Sequence, residues 1–116
     1  MATPKLAFIP GPNDVVVEIG LDPGGKISVN RDPFWVSLEK KEQVVWVCTQ
    51  NHEHKAQPPC FIVDFDPSDK PFGSAQFQGH PSPSGQATAP ANDHKLYKYS
   101  VKVGNQTLDP KGGVQP

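Results

Sequence analysis

Residues Val36–His54 read VSLEKKEQVVWVCTQNHEH, and the run inside them, Gln43–Thr49 (QVVWVCT), decides the fold class. In extended backbone successive side chains point to opposite faces. Val45, Val47 and Thr49 therefore share one face, and Val44, Trp46 and Cys48 share the other. Both faces are apolar, which places this strand in the middle of a packed sheet and not on a half-wet edge. The charged run Glu39–Glu42 before it reads as a turn, entered from a shorter strand at Phe34–Leu38.

The same pattern recurs on either side, bounded by turn residues. Upstream, Val15–Ile19 (VVVEI) is a strand, Leu21–Gly25 (LDPGG) a turn, and Lys26–Val29 (KISV) a short strand that pairs across it. Downstream, Phe61–Phe65 (FIVDF) sets Phe61, Val63 and Phe65 on one face. Leu96–Val103 (LYKYSVKV) alternates cleanly, with Leu96, Lys98, Ser100 and Lys102 opposite Tyr97, Tyr99, Val101 and Val103. Between these two strands, residues 66–92 carry five prolines and three glycines. A stretch of that length with little regular structure marks a functional loop or a mobile segment. Phe72 and Phe77 argue that part of it packs, because disordered segments rarely keep aromatics. A short edge strand fits near Ala75–Gln78, and Pro81–Pro90 (PSPSGQATAP) reads as the most mobile part.

Composition narrows the class further. Fourteen prolines and ten glycines in 116 residues leave no window with a clean helical apolar period, so the chain reads as all-β. A chain of this length buries roughly two-thirds of its unfolded surface and needs neither metal nor disulfide to fold. Residues 1–14 read as an N-terminal extension and 15–116 as one domain. No run approaches the roughly 20 apolar residues of a membrane span. The apolar patch Leu6–Ile9 is too short for a signal peptide's core of about 7–15 residues. Eleven Lys+Arg against twelve Asp+Glu, a formal net charge of −1 and lysines spread along the chain give no sign of the clustered basic face that nucleic acids or anionic membranes require. Cys48 and Cys60 bond only if their Cα atoms come within about 7 Å. The reading favours two semi-buried free thiols, and with them a cytoplasmic setting.

Several of these segments resemble the cupredoxin family. NRDPFWVSLEKKEQVVWV is similar to its extended strand, turn and Val-x-Trp/Phe strand, with Glu42-Gln43 where the family usually has Gly-Asp. His54 stands eight residues after Trp46, where copper-binding members place a first ligand. Tyr97–Val101 (YKYSV) resembles the family's Tyr-x-Tyr/Phe-x-Cys strand, with Val101 in the cysteine position. A blue-copper centre needs two histidines, a cysteine and a weak axial ligand. Beyond Val101 there is no His, Cys or Met, so the resemblance implies a fold without its type-1 copper site. Lys70-Pro71-Phe72 and Leu108-Asp109-Pro110 look like motifs of a copperless bacterial group of such domains. The resemblance covers about 100 residues and implies a Greek-key β-sandwich of seven or eight strands; it brings no activity with it.

The candidate chemistry is sparse. His52 and His54, two apart, could chelate a divalent ion with Cys48, Cys60 or Glu53 as third ligand, although QNHEHKAQPP reads as an exposed polar loop. Asp93-His94 is half of a dyad with no nucleophile turn to serve. Asp64 and Asp66 sit two apart, and acid–base work by such a pair needs one of them buried with a raised pKa. No phosphate loop is present. Trp46, Phe61, Val63, Phe65, Tyr97 and Tyr99 fall on core-facing positions, each stabilising by roughly 1.5–3 kcal/mol when buried. Phe34 and Trp35 are adjacent and must face opposite ways. One of them, beside Phe72, is the candidate for an exposed patch that contacts another protein. The expectation is thus a non-enzymatic binding or structural module without a cofactor, with Phe34, Trp35 and Phe72 as partner-binding residues. A metal-binding protein using His52 and His54 with zinc or copper is the alternative.

Overall fold

The computed structural model describes residues 10–49 and 60–116, and within them the chain is all-β. Ten strands run in the order β1 Asp14–Leu21, β2 Ile27–Val29, β3 Phe34–Ser37, β4 Gln43–Cys48, β5 Ile62–Phe65, β6 Gln76–Gln78, β7 Ser82–Gln86, β8 Tyr97–Val103, β9 Gln106–Leu108 and β10 Lys111–Gln115. They form two mixed sheets. The first has the order β2-β1-β4-β7, with β1 parallel to β4. The second has the order β3-β10-β8-β5-β6, with β3 parallel to β10 and β9 added along β8.

The central run behaves as its two apolar faces require. β4 lies between β1 and β7, and Val44 through Cys48 are all buried. Val44, Trp46 and Cys48 join the core between the sheets together with Val17, Ile19, Val63, Val101 and Val114. Trp46 is the hub of that core. Phe34, Phe65, Phe72, Phe77 and Tyr99 all set their rings within 5.0–6.3 Å of it, mostly edge-on or tilted, the arrangement that the ring quadrupole favours. Its indole N–H donates to the Tyr99 hydroxyl at 3.4 Å, and burial pushes the Tyr99 phenol well above its ordinary value.

Turn chemistry fixes the first hairpin. The Asp22 side chain accepts from the Gly24 and Lys26 amides at 2.9 and 3.0 Å, and Gly25 takes the positive φ of 81° that closes the turn.

Three expectations change here. The strand count exceeds seven or eight because β7 and β10 form in Pro- or Gly-containing sequence where strand propensity is weak, and β9 is only three residues long. Pro81–Pro90 contains β7, an ordered strand whose Pro83 stands opposite Val45 of β4. Cys48 and Cys60 form a disulfide, their Cα atoms 6.4 Å apart, where free thiols were expected. The reason is that β4 ends in the first sheet close to where β5 begins in the second, so the bond fastens one sheet to the other.

Candidate interaction surface

The site begins with a pair of glycines. β3 and β10 run parallel with Phe34 opposite Gly112 and Trp35 opposite Gly113. Because neighbouring strand residues face opposite ways, Phe34 turns into the sandwich and Trp35 onto the outer face. Each ring then lies across the glycine beside it. A Cβ on Gly112 would run into the Phe34 ring, and one on Gly113 into the six-membered ring of Trp35. The absence of two side chains lets the two rings lie close on the backbone.

The two rings end differently. Phe34 is buried, stacked at 6.2 Å on Phe72 and 6.0 Å from Trp46. Trp35 is half-buried, its indole close on Gly113. The antiparallel pairing of β10 with β8 sets Lys111 opposite Lys98 and Gly112 opposite Tyr97. Leu96 is the residue immediately before β8. Leu96 is 43% exposed, and it was the one apolar residue on the wet face of that strand in the sequence. Trp35 and Gly113 thus share the outer face of the second sheet, and the exposed Leu96 stands just before β8, the strand next to β10.

Phe34 and Phe72, expected beside Trp35 at a surface, are core residues instead. The Pro71-Phe72 segment is tied down by Thr88 and Ala89, whose amides donate to the Pro71 carbonyl at 2.8 and 3.3 Å. This drives the Phe72 ring between Phe34 and Phe65. Of the three expected contact residues, only Trp35 reaches solvent. Leu96 and Gly113 were missed. The signal for them was a Gly-Gly pair in a chain that also carries a Phe-Trp pair.

The rest of the outer face is polar and charged. Lys98 lies 3.8 Å from Asp109 and Lys102 lies 3.7 Å from Asp64, and the Lys95 ammonium bonds to Asp69 at 2.7 Å. These pairs are solvated, and solvent screening leaves them little weight in stability. Asp64, Asp66, Asp69 and Asp109 line an open cleft of about 300 Å³ with Lys98. The Ser68 amide and hydroxyl hold the Asp66 carboxyl below its ordinary value, so it stays ionised. Asp64 accepts from the Gln76 side-chain amide at 2.8 Å. Neither carboxylate is placed as a general acid.

The remaining candidates fall elsewhere. His52, Glu53 and His54 lie outside the described residues. His80 sits beside the disulfide and accepts the Cys48 amide proton at Nδ1, 2.9 Å away. His94 and Asp93 are both largely exposed, 3.3 Å apart. Val101 is buried in mid-β8, opposite Val63 on one side and Leu108 on the other. Among the described residues no group of three or more His, Cys, Asp or Glu side chains is placed to hold a metal ion. No family model, curated protein or solved structure matches the chain.

Proposed function

We propose that this chain is a non-enzymatic, cupredoxin-like Greek-key sandwich that contacts another protein through the outer face of its second sheet. The observation that carries the reading is the Trp35 ring laid on Gly113, together with the exposed Leu96 just before β8. A tryptophan backed by main chain loses little freedom when a partner covers it, and aromatic anchors of this kind dominate protein interfaces. The solvated Lys and Asp pairs around it make a polar rim. The all-β, two-sheet architecture is compatible with the sandwich that the resemblance implies. The Cys48–Cys60 bond removes the thiol argument for a cytoplasmic setting and favours an oxidising compartment.

Site-specific photo-crosslinking tests this reading. One crosslinking residue replaces Leu96 and another replaces Leu21, which is 42% exposed but belongs to the first sheet. In extracts of the source cells, position 96 should give a discrete protein adduct that excess unlabelled protein competes away, and position 21 should not. Equal labelling from both positions, or none from either, would sink the reading.

The second reading, metal binding through His52 and His54, loses Cys48 and Cys60 as third ligands to the disulfide and rests on the two histidines with Glu53. A zinc- or copper-dependent rise in melting midpoint that His52→Ala/His54→Ala abolishes would favour it.

A further inference from the structure

Among the described residues five strands stand at an edge, β2 and β7 on the first sheet and β3, β6 and β9 on the second. An edge presents unpaired backbone N–H and C=O groups, and monomeric proteins blunt it with proline, charge or a covering side chain. Four of these edges carry such a device. The β2 and β9 edges are tied to one another, the Ile27 amide donating to Oε1 of Gln106 at 3.1 Å. On β3 the Ser37 amide donates to Glu42 Oε1 at 2.6 Å, and the Ser37 carbonyl accepts from the Glu42 amide at 3.0 Å. β7 contains Pro83, which has no N–H to offer.

β6, Gln76-Phe77-Gln78, has neither proline nor charge. Its pairing with β5 determines which groups point outward. The Phe65 amide donates to the Ala75 carbonyl at 2.6 Å, so residues 65 and 75 are a hydrogen-bonded pair. The alternation of an antiparallel ladder then makes Val63 and Phe77 the next such pair. The backbone groups of Gln76 and Gln78 are turned away from β5, off the edge of the sheet.

We infer that β6 is a self-association edge. A second copy adds its own β6 antiparallel across a two-fold axis through Phe77, so that Gln76 of one copy faces Gln78 of the other. Gln-Phe-Gln reads the same in both directions, so the two-fold operation matches every outward N–H with a C=O and needs no slip in register. The neighbouring cleft of about 320 Å³, lined by Phe77, Pro81, Ser82 and Pro83 with the two glutamines, holds no charged side chain. A surface that must meet itself survives only without like charges, and this one has none. Phe77 is half-buried, so its open side and the two prolines supply apolar area for a second copy to cover. This edge lies across the second sheet from Trp35, so the two surfaces can be occupied independently.

A three-residue strand falls below the roughly 1,000 Å² that a stable interface needs, so the association is weak and concentration-dependent. Sedimentation velocity over roughly 10 μM to 1 mM, the range in which a small interface associates, should show a monomer passing into a dimer. Gln76→Lys/Gln78→Lys and Gln76→Glu/Gln78→Glu should each remain monomeric, with thermal melts confirming that both fold. An equimolar mixture of the two should dimerise again. In the unmodified protein, amide exchange at Gln76 and Gln78 should slow as concentration rises. A wild-type chain that stays monomeric to 1 mM with unchanged exchange would overturn the inference. So would a dimer that both charged variants retain, since it must then form through another surface.

Discussion

Phe34 and Trp35 are neighbours on one strand, each laid over a glycine of the same parallel partner, yet they serve opposite ends. On the inner face the ring over Gly112 is locked among Trp46, Phe72 and Tyr99. On the outer face the ring over Gly113 is only half-buried. The difference teaches that a ring-over-glycine contact is not itself a functional signature. What surrounds the ring decides whether it holds the fold together or is offered to a partner.

The largest effect comes from removing the inner ring. Phe34→Ala should cost about 3–5 kcal/mol, the loss of a fully buried aromatic plus the cavity it leaves. Urea titration measures it, and a loss under about 1 kcal/mol would mean that the inner face is not packed as described. Next in size is the covalent fastening of the two sheets. Reducing Cys48–Cys60, or replacing both by Ser, releases a loop of sequence separation 12 and should cost about 3 kcal/mol. Equal melting midpoints with and without reductant would show that the bond contributes nothing.

The glycines sharpen the contrast directly. Gly112→Ala forces a Cβ against a ring that cannot move, and should destabilise by about 1–3 kcal/mol. Gly113→Ala meets a ring that is only half-buried and should cost less, about 0.5 kcal/mol. Equal losses at the two positions would erase the distinction between the faces. A smaller effect is electrostatic and confined to high pH. Burial raises the folded-state pKa of Tyr99 above its unfolded value of about 10. Below pH 10 both states keep the proton and its contribution is constant. As pH rises past 10 the unfolded chain loses the proton while the folded chain holds it, so stability falls by up to about 1.4 kcal/mol per pH unit. Tyr99→Phe should flatten that slope in urea titrations from pH 8 to about 11, and an unchanged slope would assign it to other groups.

Much of the inner face was legible in the sequence, and little of the outer. Strand periodicity alone placed Trp46, Val63, Phe65, Tyr99 and Val101 on core-facing positions, where they are found. Periodicity also showed that Phe34 and Trp35 must diverge, but gave no means of telling which one turns inward. That depends on Gly112 and Gly113 lying beside them, a pairing across almost 80 positions that no local pattern encodes. The same blindness hid β10, because KGGVQ lacks both alternation and β-branched density. Phe72 was misplaced for a related reason: two backbone bonds to Pro71 from residues far along the chain pull its ring inward. The disulfide joins strands of different sheets, and spacing along the chain carries no information about that distance.

The most direct test of the distinction between the two faces is a paired measurement on Trp35→Ala. Its melting midpoint and its ability to compete for the position-96 crosslink are compared with those of the wild type. The outer-face assignment predicts a stability loss of about 1 kcal/mol or less together with loss of competition. A Trp35→Ala protein that competes as well as the wild type would contradict it, and a loss as large as that of Phe34→Ala would place Trp35 with the core.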